Sequence, residues 1–129
     1  MCLADVQSAN VVGYESMGIL KDDYTMFGIQ FEDVAGGGVK FKNLQGNFNG
    51  GEELATADYI MVWKDGTYYN YYYGDWGAGA EDPSWNNKWW EDFGDFEDAS
   101  EKTIDPGLAC WYLRRGDATT MSFGSPLAK

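Results

Sequence analysis

The chain has 129 residues, 44% of them hydrophobic and 17% aromatic, which is enough apolar material for one domain with a real core and argues against intrinsic disorder. Its formal charge is −12, with nine Lys and Arg against 21 carboxylates. The basic footprint that nucleic acid requires is therefore missing, and an anionic membrane surface repels the chain. Histidine is absent, which removes the commonest general base, the usual catalytic zinc ligand and the pH switch together.

Residues 1–8 read as a leader remnant or a flexible N-terminal segment. Cys2-Leu3-Ala4 before Asp5 looks like the end of a cleaved leader and points to secretion, the alternative being a cytoplasmic chain that starts at Met1. No apolar run reaches the roughly 20 residues of a membrane span, so membrane insertion is not expected. Cys2 and Cys110 allow one disulfide; the other reading makes Cys110 a small buried hydrophobe. Residues 9–20 are apolar and rich in β-formers, with Gly13 marking a kink or bulge. After the polar turn Lys21-Asp22-Asp23 comes a clear period of two. Thr25, Phe27, Ile29 and Phe31 share one face, and Tyr24, Met26, Gly28, Gln30 and Glu32 the other. The three glycines at 36–38 break the chain, and Val39 to Leu44 reads as a strand with Val39 and Phe41 on one side.

Gln45 to Glu53 is a Gly/Asn loop, and Asp58 to Lys64 is again strand-like. Lys64-Asp65-Gly66-Thr67 predicts a hairpin, because Asp-Gly supplies the positive φ angles of a type I′ turn. The returning strand, Tyr68 to Tyr73, carries tyrosine at every position except Asn70. Residues 74–98 lose the period and read as one long aromatic and acidic loop; loops beyond about 15 residues are usually functional or disordered. Asp105-Pro106-Gly107 is a turn, Ala109 to Arg115 a strand, Gly116-Asp117 a tight turn and Ala118 to Phe123 the last strand. About eight short strands with frequent turns predict an all-β chain: one antiparallel β-sandwich or small barrel spanning residues 1–129.

Ser8-Ala9-Asn10-Val11-Val12-Gly13-Tyr14, Pro106-Gly107-Leu108-Ala109-Cys110-Trp111-Tyr112 and the closing Met121-Ser122-Phe123-Gly124 resemble a family of small secreted bacterial β-rich proteins of unassigned function. The likeness covers both ends and, loosely, the aromatic middle. It implies secretion and a β fold, and it assigns no catalytic residue.

Chemistry concentrates in the aromatic middle. Tyr69, Tyr71 and Tyr73 share one face of their strand, so Tyr68 and Tyr72 point the other way and one row meets solvent or the loop. Trp85, Trp89 and Trp90 lie among Asn86, Asn87 and Asp92, with Trp76 earlier in the same segment. Flat rings beside amides and carboxylates suit a sugar, whose apolar face stacks while its hydroxyls pair with the polar groups. Tyr68, Tyr72, Trp76, Trp85, Asn86, Asn87, Trp89 and Trp90 are therefore the candidate ligand-binding residues. The alternatives are a tryptophan lid folded onto the core, or a protein interface. Asp92, Asp95, Glu97 and Asp98 have the oxygen chemistry of a calcium site without EF-hand spacing; a solvated acidic loop is the other reading. Arg115-Gly116-Asp117 is a short adhesion-type tripeptide that also makes an ordinary turn.

Three functions compete. The first is a non-catalytic, secreted or cell-surface module that binds a glycan or adheres to a surface partner. The second is a structural subunit that assembles with copies of itself by strand pairing into an extracellular layer or filament, with residues 10–14 as the candidate strand. A carboxylate-only glycoside hydrolase comes third.

Overall fold

A computed structural model of the chain describes residues 14–29 and 38–124. Among them ten strands form: β1 (Tyr14–Ile19), β2 (Tyr24–Phe27), β3 (Val39–Lys40), β4 (Gln45–Gly46), β5 (Tyr59–Lys64), β6 (Thr67–Gly74), β7 (Lys88–Glu91), β8 (Thr103–Ile104), β9 (Ala109–Leu113) and β10 (Thr119–Gly124). Among the described residues, helical structure is confined to single 3-10 turns at Phe41–Asn43, Gly77–Gly79 and Pro83–Trp85. The fold is all-β, in three sheets ordered β2-β9-β5-β6-β7, β1-β10-β4 and β3-β8. These ten strands pair with one another antiparallel.

The period of two sets the layers. On the inner face of the five-stranded sheet, Thr25, Tyr112, Ile60, Tyr71 and Glu91 stand in register across five strands, and Phe27, Cys110, Val62 and Tyr69 form the next row. Ile19 of β1, Met121 and Phe123 of β10, Val39 and Ile104 of the two-stranded sheet, and Phe41 of the first 3-10 turn share the same core. Each fully buried aliphatic or phenyl side chain contributes about 1.5–3 kcal/mol. Phe48, Tyr73 and Trp89 complete the core as a chain of tilted and edge-on rings with centres 5.1–5.2 Å apart.

Several expectations meet the structure directly. Phe27 and Ile29 are buried while Tyr24 and Met26 face solvent, as the alternation requires. Asp65 and Gly66 have φ of 54° and 80°, and Lys64 pairs with Thr67, so the type I′ hairpin forms. Gly107, at φ 85°, takes the left-handed position of its turn.

Other expectations are corrected. The strand expected over 39–44 stops at Lys40, because Phe41–Asn43 winds into a 3-10 turn that buries Phe41. The presumed loop 45–53 begins with β4, which pairs with β10. Residues 74–98 are not one loop: β7 lies within them as the edge of the five-stranded sheet, and its alternation of Trp89 and Glu91 inward against Trp90 outward is the pattern of a half-buried strand. The expected Gly13 bulge, Phe31 and Cys2 lie outside the described residues. Cys110 is free and fully buried, its thiol directed to the Leu108 carbonyl.

Candidate functional site

The outer face of the five-stranded sheet carries the other half of each strand's side chains, and they too are aromatic or apolar. Tyr24, Leu113, Tyr59, Tyr72 and Trp90 stand in register from β2 to β7. Met26, Trp111, Met61 and Asn70 form a second row, and Ala109, Trp63 and Tyr68 a third. Neither of the smaller sheets contributes to the apolar cluster on this side. Tyr24, Met26, Trp63 and Tyr68 are exposed, with Trp63 and Tyr68 at 44% and 45% and in edge-on contact at 4.7 Å. Tyr24 and Tyr59 share a hydroxyl hydrogen bond of 2.8 Å, and burial together with that bond pushes the Tyr59 phenol up to about 12. Among the described residues, Asn70 Oδ1 in the second row is the buried side-chain acceptor without a partner.

One end of this face closes in a corner of tryptophans. Trp76, Trp85 and Trp90 contact one another edge to face, and Trp76 also meets Tyr72 at 6.4 Å. The chain is tied there. Asn86 accepts from the Trp76 backbone N–H through Oδ1 at 2.7 Å and donates through Nδ2 to the Gly77 carbonyl at 2.9 Å. Asp82 caps the turn before Trp85 by accepting from the Ser84 N–H and hydroxyl, and these two bonds hold its carboxyl below the usual range. Trp90 Nε1 donates to the Trp85 carbonyl at 3.1 Å.

Of the expected ligand-binding residues, the structure gathers Tyr68, Tyr72, Trp76, Trp85 and Trp90 on this outer face. Asn86 braces the corner from behind. Asn87 is spent on a left-handed turn at φ 62°, its N–H bonded to the Gly74 carbonyl. Trp89 is 2% exposed and belongs to the core, because odd positions of β7 point inward. Its edge, with Asn87, Phe48 and Tyr73, lines a cleft of about 440 Å³ on the other side of the sheet, rimmed by the Lys88–Asp98 pair and by Lys42 and Glu101. Trp63, Trp111, Tyr24 and Met26 were missed. The available signal was that strands β2, β5 and β9 are apolar on both faces, more than a single core requires.

The four expected calcium ligands do not come together. Burial disfavours the charge on Asp98, yet Ser100 and Lys88 outweigh it and hold the carboxyl below its usual range. Glu97 faces Lys102 at 3.7 Å. Asp92 is pushed up by burial and by the charge of Glu53. Among the described residues no three acidic or thiol side chains are placed to hold a metal ion, and Asp95 joins no such group. In the Arg-Gly-Asp turn, Arg115 is engaged by the Ala57 and Leu54 carbonyls and lies over the Tyr59 ring, so the tripeptide does not present a free guanidinium.

Sequence reasoning also passed over Asp58, which is fully buried. Its carboxylate accepts from Arg114 Nη1 at 2.9 Å, the Asn49 N–H at 3.1 Å, the Arg115 N–H at 2.7 Å and the Tyr112 hydroxyl. These bonds staple the 47–58 segment to β9 and set the level at which β5 enters the sheet. No helix of the described residues is long and apolar enough to cross a membrane. Comparison with family models, with curated proteins and with solved structures finds no match to this chain.

Proposed function

We propose that this chain is a secreted, non-catalytic module that binds neutral glycans on the outer face of its five-stranded sheet. The observation that carries the reading is the three in-register rows on that face, with Trp63, Tyr68, Tyr24 and Met26 open to solvent. A monomeric soluble domain rarely leaves so much contiguous apolar surface without use. A sheet fixes its side chains at strand spacings of about 4.8 Å, so the rings form a broad, rigid platform instead of a deep pocket. Such a platform suits a chain of sugar rings stacking through their apolar faces. The net charge of −12 favours uncharged polysaccharides over polyanionic ones.

Retardation of the protein in native gels containing soluble neutral polysaccharides tests this. Retardation by at least one polysaccharide, weakened about tenfold by Trp63→Ala, is expected, since aromatic stacking contacts contribute about 1–3 kcal/mol in comparable settings. A second reading, self-assembly, draws support from β1 and β2, each of which pairs on one side only among the described residues. Light scattering separates the two. An unretarded protein whose mass grows with concentration would replace glycan binding by assembly.

A further inference from the structure

The tryptophan corner has a geometry of its own. The ring planes meet at 89° for Trp76 and Trp90, 78° for Trp85 and Trp90, and 70° for Trp76 and Trp85, with centres 5.9, 6.3 and 6.2 Å apart. Three perpendicular rings that each face a point about 4.5 Å away have centres about 6.4 Å apart, and a cation is attracted to a ring within about 6 Å of its centre. The observed spacing, ordinary for rings in edge-to-face contact, also matches that of three walls around one ammonium group. Each of the three rings is only half-buried.

The corner is braced on several sides. At its base a side chain on Gly74 would come within 2.6 Å of both the Trp76 and Trp90 rings, so only glycine lets the two walls close. Asn86 fixes the Trp76 backbone, and the Trp90 indole is pinned to the Trp85 carbonyl. Preorganised walls bind without the entropic cost of ordering them.

The charge around the corner has the matching sign. After burial, the largest causes that raise the Tyr72 phenol are the charges of Asp92 and Glu53. Tyr72 contacts Trp76 and pairs across the sheet with Trp90, so both charges are felt next to the corner, and Asp92 follows Trp90 by two positions with its N–H on the Asn70 carbonyl. Neither makes an ion pair among the described residues. Two carboxylates cannot by themselves cage a metal ion, and no larger donor group is present among the described residues. A diffuse organic cation needs no oxygen cage. The same face already holds one cation on a ring: Arg115 lies 5.6 Å above the centre of Tyr59.

We propose that the Trp76–Trp85–Trp90 corner binds a quaternary or methylated ammonium group, with Asp92 and Glu53 supplying the neutralising charge. Methylation matters because a bare ammonium would lose its water without finding acceptors among the indoles, whereas methyl groups meet the ring faces directly. This site lies at one end of the sheet platform and shares Trp90 with its first row, but Trp63 and Tyr68 take no part in it and it does not depend on glycan binding.

The test is a tryptophan-fluorescence titration of the full chain with tetramethylammonium, choline and 3,3-dimethylbutan-1-ol, the uncharged isostere of choline. Both cations are expected to give a saturable change, and the isostere to bind at least about tenfold more weakly. Trp85→Ala should cost the cations about tenfold. Asp92→Asn, which leaves the core intact, should weaken the cations several-fold without changing the response to the isostere. Equal binding of the isostere, or no saturable response to tetramethylammonium, would overturn the proposal. Gel retardation by polysaccharides, read with Trp63→Ala, is independent of this result, so failure of either reading is recognisable.

Discussion

Asp58 illustrates how one residue can organise a β domain. A carboxylate removed from water costs several kcal/mol unless its lone pairs are filled, and here four donors fill them. Its partner Arg114 is itself buried and also donates to the Asn47 and Asp117 carbonyls, so the pair ties three chain segments together. Removing one member leaves the other charged and unpaired. Asp58→Ala is therefore expected to lower stability by about 3–5 kcal/mol, measured from the urea midpoint. Tyr112→Phe, which removes a single donor from Asp58, should lower it by about 1–2 kcal/mol. Equal losses in the two variants would mean that the hydroxyl, not the ion pair, secures the network.

At the scale of elements, the β5–β6 hairpin is the most locally determined part of the molecule. Its turn needs positive φ at two successive positions, and Asp65-Gly66 provides both. A Cβ at Gly66 would meet no atom within 4 Å, so substitution there reports backbone strain alone. Gly66→Ala is expected to lower stability by about 1–2 kcal/mol, while Asp65→Asn should be neutral within about 0.5 kcal/mol. A thermal melt of the two variants beside the parent checks this. β7 is the opposite case. Its four residues, Lys88-Trp89-Trp90-Glu91, are too few to declare a period amid Gly, Asn and Asp, and they become a strand because the edge of β6 is there to pair with.

Across the whole molecule, buried phenols and one thiol make folding sensitive to alkali. Burial pushes the Cys110 thiol from 9.0 up to about 12 and the Tyr71 phenol from 10.0 up to about 12, the latter with help from Glu91. Tyr72, Tyr73 and Tyr112 move in the same direction, Tyr112 through burial and its bond to Asp58. These groups keep their protons in the fold and release them at lower pH when unfolded. Stability is thus complete below the unfolded values, near 9–10, and is lost as pH rises toward 12. Urea midpoints that hold level to about pH 9 and then fall are expected, with Cys110→Ala delaying the onset toward pH 10. A level midpoint through pH 11 would show that the phenols and the thiol titrate as freely in the fold as out of it.

Local signals made the β class, the Asp-Gly hairpin, the inward Phe27 and Ile29 and the paired tyrosine faces of β6 readable from sequence, because period and turn chemistry are properties of neighbouring residues. The separation of the tryptophans was not readable in that way. Trp89 and Trp90 are adjacent in sequence and end on opposite faces, one in the core and one in the corner, and the split depends on β7 pairing with β6 in one register. Trp63 and Trp111 likewise became surface residues only when β5 and β9 met side by side. The chain by itself determined that many rings would be spread over pleated strands. Only the tertiary structure decided which of them the core consumed and which were left on the outer face, since a sheet has two faces and the smaller sheets contribute to the core on only one of them.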